Sequence, residues 1–171
     1  QNLPAEAARA LAQPEFADGS TLSVYLDDAW LMDQPSAELD AMLKDSDFSY
    51  TLADLAAHSG QGVAKMLYFG EHAHLLALQA KLLRHFGKRL YVTFSLPDCL
   101  EVMAAGVSKG HALQVVLDQL GLTAAQCMAF GDGANDLELL QTAGHPRLMG
   151  NAHALLAQHL PEVMQIGHHH D

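Results

Sequence analysis

The chain has 171 residues, half of them hydrophobic, enough to bury about two-thirds of its unfolded surface in one domain or two small ones. Twenty acidic residues against nine basic ones give a formal charge of -11, which disfavours nucleic acid and anionic lipid as partners. The longest apolar runs, such as Val63 to Phe69 with Lys65 inside it, fall far short of the ~20 residues of a membrane span, and a cytoplasmic location is expected.

The first half mixes strand and helix signals. Leu3 to Leu11 is Ala-rich and helix-prone. Thr21 to Leu26 alternates as a strand does, and Ala29 to Met32 pairs with it as a hairpin across Asp27-Asp28. Pro35 opens a helix to about Lys44. Asp45 to Gly62 reads as a loop around one short helix. Val63 to Phe69 is a strand; His72 to Phe86 is a helix with Leu75, Leu78, Leu82 and Phe86 on one face, closed by Gly87. Leu90 to Phe94 and Cys99 to Met103 are strands separated by a Pro97-Asp98 turn.

From Gly106 the pattern becomes regular. A helix from Lys109 to Leu120 places Leu113, Val116, Leu117 and Leu120 on one face. Strand Cys127 to Phe130, helix Asn135 to Ala143, strand Arg147 to Met149 and helix Ala152 to His159 follow. Short apolar strands alternating with helices imply a parallel α/β sheet, so the chain divides into an α+β part, residues 1–104, and an α/β part, residues 105–171. Cys99 and Cys127 lie in apolar runs without metal-binding spacing and read as buried free thiols. Of eleven histidines, His168, His169 and His170 resemble a purification tag, but the flanking Ile166-Gly167 and Asp171 read as native chain.

Gly131-Asp132-Gly133-Ala134-Asn135-Asp136 joins a strand to a helix at the carboxyl end of a parallel strand, where open α/β sheets bind ligands. The glycines permit a tight turn, and Asn135 offers an amide near a helix N-terminus. Asp132 and Asp136 repel one another unless a cation sits beside them, and hard oxygen ligands point to Mg²⁺. The competing reading is a plain strand–turn–helix connection with Asp and Asn as caps. Lys109 follows the N-cap Ser108 in a helix first turn, where the dipole disfavours a cation; an ion pair with the Asp loop would account for it, as would plain solvation.

These signals resemble the third and fourth motifs of the haloacid dehalogenase superfamily, and residues 99 to 167 resemble its Cof-type branch. The matching residues are Cys99-Leu100-Glu101-Val102, Ser108-Lys109-Gly110, Leu120-Gly121-Leu122, Met128-Ala129-Phe130-Gly131-Asp132, Asn135-Asp136 and Met149-Gly150-Asn151-Ala152. The resemblance implies the second half of a Rossmann-like catalytic core, with residues 1–104 as the α+β cap that selects substrate and excludes water. It also implies a Mg²⁺-dependent phosphohydrolase working through an aspartyl-phosphate on a small phosphorylated metabolite. A pyrimidine pyrophosphate such as hydroxymethylpyrimidine pyrophosphate, in thiamine metabolism, pyridoxal phosphate and a sugar phosphate are the substrates it leaves open. By the same matching, Asp132 ligates Mg²⁺, Lys109 binds phosphoryl oxygens and steadies the nucleophile, Asn135 contacts phosphate, and Asp136 orients the lysine or the metal shell.

The departure is at the nucleophile. The family carries it in an N-terminal DxDGT motif, of which Asp18-Gly19-Ser20-Thr21 imitates only the tail, with Phe16 where the aspartate belongs. The chain is therefore expected to be an inactive fragment that lacks about 80 to 90 residues of core and a short C-terminal helix. A phospho-ligand-binding module without turnover, and a phosphomutase or phosphotransferase, are the alternative functions. Asp27, Asp28, Trp30 and Lys65 are the candidates for substrate contacts in the first part, against ordinary turn chemistry for the aspartates and hairpin packing for Trp30.

Overall fold

A computed structural model describes residues 1–17 and 19–167; Asp18 and the His168 to Asp171 tail lie outside the described residues. The chain forms two compact units, residues 1–92 with 97–105, and residues 93–96 with 106–171.

Unit 1 opens with α1 (Ala5–Leu11) and α2 (Pro14–Ala17) and continues with the hairpin β1 (Thr21–Tyr25) and β2 (Trp30–Met32). Leu26 donates its N–H to Ala29 across the Asp27-Asp28 turn. Helix α3 (Ala37–Leu43) starts one residue after the Ser36 N-cap, whose hydroxyl accepts from the Leu39 N–H. Then come β3 (Thr51–Leu52), a 3₁₀ turn over Leu55–Ala57, β4 (Lys65–Phe69), α4 (His72–Phe86), β5 (Leu90–Leu96) and β6 (Cys99–Ala104). The six strands are ordered β3-β2-β1-β4-β6-β5.

Pairing of β1 with β4 and of β4 with β6 is antiparallel. The register sets Leu22 beside Tyr68 beside Leu100, and Val24 beside Met66 beside Val102. All six are buried and line one face, which α1 and α4 cover with Leu11, Leu75 and Leu82. One residue along each strand, on the other face, Tyr25, Trp30, Lys65, Glu101 and Met103 are only half-buried. The alternation follows from the period-2 geometry of a strand, with apolar residues turned to the helices.

Unit 2 holds α5 (Lys109–Leu120), β7 (Met128–Gly131), α6 (Leu137–Thr142), β8 (His145–Leu148) and α7 (Ala154–His159). Strands β7 and β8 are parallel, pairing Met128 with His145 through to Gly131 with Leu148. Its core gathers Ala129, Leu140, Ala143, Leu148 and Leu156.

The parallel α/β organisation read from residue 106 onward is present, and the shared face of α5 is only partly covered. Of Leu113, Val116, Leu117 and Leu120, only Leu117 is fully buried, while Val116 is 47% and Leu120 65% exposed. Met128 and Phe130 on β7 are also about half exposed, at 52% and 51%. Periodicity correctly put these side chains on shared faces, but β7 has β8 as its one strand partner among the described residues, so nothing covers its outward side chains. Cys99 is buried and Cys127 only half-buried, because Cys127 precedes β7 at the edge of the small unit-2 core. The loop expected from Asp45 to Gly62 also contains β3, which pairs parallel to β2.

The deepest polar contact of unit 1 ties its sheet to α1. The Tyr68 hydroxyl donates to the Leu11 carbonyl at 2.8 Å, and burial pushes its pKa up, so it stays a neutral donor. A Tyr68→Phe substitution leaves that carbonyl unpartnered in an apolar setting and is expected to cost about 1–2 kcal/mol of stability, read as a lower urea midpoint at unchanged slope.

Candidate active site

The loop between β7 and α6 is organised around one carboxylate. Asp136 ends a 3₁₀ turn over Ala134–Asp136 and is 5% exposed. Its Oδ2 accepts the backbone N–H groups of Asp132 and Gly133, each at 3.0 Å, while its own N–H donates to the Gly133 carbonyl. Its Oδ1 receives the Lys109 ammonium at 2.5 Å, from a residue 27 positions earlier in the chain. Two amides and one ammonium therefore satisfy a carboxylate that would be very unfavourable to bury alone.

Two glycines make this approach possible. A Cβ on Gly131 would lie 2.6 Å from the Asp136 Cβ, so any side chain there would push the carboxylate out of reach of the loop amides. A Cβ on Gly110 would lie 2.4 Å from the Glu138 carbonyl oxygen, so only glycine lets the first turn of α5 touch α6. That contact brings Lys109 to Asp136. The Ser108 hydroxyl starts α5 by accepting from the His111 N–H at 3.2 Å. The lysine's misfit with the helix dipole is thus offset by an ion pair, and its side chain, 50% exposed, remains open to a ligand.

Asp132 has the opposite environment. It is exposed, with its Oδ2 accepting from the Asn151 side-chain amide at 2.7 Å and its carbonyl accepting from the His153 N–H at 2.8 Å. Asn135 is half-buried, with its Oδ1 close over Gly133. Lys109, Asp132, Asn135 and Asp136 thus converge on one loop of unit 2. Asn151 joins them from the Met149-Gly150-Asn151-Ala152 stretch, where the only sequence signal is a polar side chain just after a strand end.

Among the described residues no three His, Cys, Asp or Glu side chains form a metal-binding group. Mg²⁺ commonly takes one or two carboxylates and fills its remaining positions with water and phosphate oxygens. Asp132 fits as one such ligand. Asp136 does not offer a free oxygen, since both are already taken.

The substrate-contact candidates of the first part lie in unit 1. Trp30 stacks on Tyr25 at 5.2 Å between ring centroids and donates its indole N–H to the Ser23 hydroxyl. Lys65 stands 5.1 Å over the Tyr25 ring and 3.7 Å from Glu101. Burial, and then the neighbouring Cys99 and Glu101, hold the Tyr25 hydroxyl above its ordinary pKa. Asp27 and Asp28 form the exposed hairpin turn.

The sequence pattern of haloacid dehalogenase-like hydrolases matches residues 1–170. The chain belongs to that family. It is 39% identical over 170 residues to an HMP-PP phosphatase of Serratia proteamaculans, covering 98% of this chain and 61% of that protein. It is 38% identical over 168 residues to an HMP-PP phosphatase of Cronobacter sakazakii, covering 98% and 62%. The chain therefore spans about three-fifths of the length of these curated relatives. A sugar phosphatase of HAD subclass IIB shares the fold, with a TM-score of 0.80 at 19% identity over 98% of this chain and 62% of that one. No helix among the described residues is long and apolar enough to cross a membrane.

Replacing Asp136 with Asn would set an NH₂ group against either the Lys109 ammonium or the two loop amides. Asp136→Asn is expected to lower unfolding stability by about 2 kcal/mol or more, measured as a urea midpoint; an unchanged midpoint would contradict the carboxylate's structural role.

Proposed function

We propose that the full-length protein is a Mg²⁺-dependent phosphohydrolase that releases phosphate from a small phosphorylated metabolite, hydroxymethylpyrimidine pyrophosphate or pyridoxal phosphate. The observation that carries this reading is the Lys109–Asp136 ion pair locked under the amides of Asp132 and Gly133. It fixes an ammonium and an outward carboxylate on one loop, the two charges that phosphoryl transfer requires: one for the phosphoryl oxygens, one for a cation.

A nucleophilic aspartate attacks phosphorus, the leaving oxygen departs, and water then hydrolyses the aspartyl-phosphate. Lys109 binds the phosphoryl oxygens and steadies the nucleophile, and Asn135 contributes its amide to the phosphate. Of the two roles expected for Asp136, its hydrogen bonds support orientation of Lys109 rather than metal ligation. Mg²⁺, with Asp132 among its ligands, would offset negative charge developing on the transferred group. Residues 1–171 hold no match to the DxDGT motif that carries the family's nucleophile, so residues 1–171 alone are expected to be inactive. Unit 1 acts as the substrate-selecting cap, with Trp30 and Lys65 its best-placed polar and aromatic candidates.

A second reading suits the chain taken alone. With Lys109 half exposed and no DxDGT motif, residues 1–171 would bind a phosphorylated ligand without turning it over.

Phosphate release from a panel of small phosphates decides between these readings. The full-length protein is expected to turn over with Mg²⁺ and stop with EDTA, and Asp132→Ala is expected to lose on the order of a hundredfold or more in kcat/KM. Intact activity in Asp132→Ala, or equal activity of residues 1–171 alone, would sink the assignment.

A further inference from the structure

The stretch Met149-Gly150-Asn151-Ala152 has no role in the mechanism above, yet the structure ties it closely to Asp132. The Met149 N–H donates to the Gly131 carbonyl at 3.1 Å, and the His153 N–H donates to the Asp132 carbonyl at 2.8 Å. On the other side of the same residue, the Asp132 N–H donates to Asp136. The backbone of Asp132 is thus held from both directions, and the remaining freedom is rotation of its side chain. Asn151 removes that freedom: its Nδ2 donates to Asp132 Oδ2 at 2.7 Å. An ionised carboxylate only accepts, so an amide nitrogen is the group at residue 151 that faces it. Asp132 Oδ1 takes no hydrogen bond among the described residues.

We propose that Asn151 is the positioning residue of the cation site: by holding Asp132 Oδ2 it fixes the carboxylate so that Oδ1 is presented to a divalent cation. The inference rests on the reading that Asp132 ligates Mg²⁺. Burial does not explain the contact, because both residues are exposed, and a short hydrogen bond between two exposed side chains contributes little to stability. Its effect is on orientation. A free carboxylate divides its time among rotamers, and a fixed one meets the cation already aligned, which is how partners behind a metal ligand raise affinity.

The test measures Mg²⁺ affinity directly, by titration calorimetry of the full-length protein without substrate, beside its urea midpoint and its kcat at saturating Mg²⁺. Asn151→Ala is expected to raise the Mg²⁺ Kd on the order of 10- to 100-fold while the urea midpoint stays put and saturating Mg²⁺ restores most of kcat. Asn151→Ser, which keeps a hydroxyl donor, is expected to fall between Ala and the native residue. A purely structural tether would instead lower the midpoint and kcat and leave the Kd alone. A Kd for Asn151→Ala within about twofold of the unsubstituted protein overturns the proposal, and if Asp132→Ala abolishes Mg²⁺ binding in the same series, the phosphohydrolase reading survives that failure. Retention of Mg²⁺ affinity in Asp132→Ala removes Asp132 as the ligand and overturns both.

Discussion

The burial of the Asp136 carboxylate is the constraint on which the geometry of the whole loop depends. An ionised carboxylate at 5% exposure is tolerated only when both its oxygens are hydrogen-bonded, and three donors serve them here. Each donor imposes a condition elsewhere. The two loop amides require the chain to fold tightly back from Gly131, and the ammonium requires α5 to approach α6 more closely than any residue with a side chain at 110 would allow. Electrostatics at the site and helix packing in unit 2 are therefore one problem. Glycine at 110 has no chemistry of its own, but without it Lys109 would not reach its partner.

The two units solve burial differently. In unit 1 three central strands turn Leu22, Val24, Met66, Tyr68, Leu100 and Val102 to one side, where α1 and α4 close over them. The other side carries polar and aromatic groups that satisfy each other, with Lys65 between the Tyr25 ring and the Glu101 carboxylate. Removing a Val, Leu, Met or Phe side chain from water stabilises by about 1.5–3 kcal/mol. Unit 2 forgoes that gain at Val116, Leu120, Met128 and Phe130.

What the sequence made legible follows from the kind of information periodicity holds. The helix over His72–Phe86 was readable to the residue, because Leu75, Leu78, Leu82 and Phe86 repeat at helical spacing and Gly87 ends the run. The start of α5 was equally plain from Ser108. Strand β3 was not, since Thr51 and Leu52 are too few to alternate and both are exposed. Spacing states which side chains share a face but not whether another element covers it, which is why α5 was legible as a helix while the exposure of Val116 and Leu120 was not. At the site, the convergence of Lys109 with the Asp loop was legible as a pairing of charges in need of each other. The donor from Asn151 was not, because it joins two residues 19 positions apart in separate loops, where no periodicity relates them.

The sequence also suggested that Asp132 and Asp136, four positions apart, must repel unless a cation sits between or beside them. The fold places the Lys109 ammonium beside one of them. Asp136 turns inward, beneath the amides of Asp132 and Gly133 and against Lys109, while the Asp132 side chain is exposed and accepts from the Asn151 amide. The ammonium already present neutralises the inner carboxylate. The outer carboxylate keeps its charge and one oxygen free of hydrogen bonds to the described residues. A loop that needed Mg²⁺ for its own integrity would be using the ion as structure. This one is organised first by Lys109, so a cation at Asp132, as proposed above, would act on a ligand's charge.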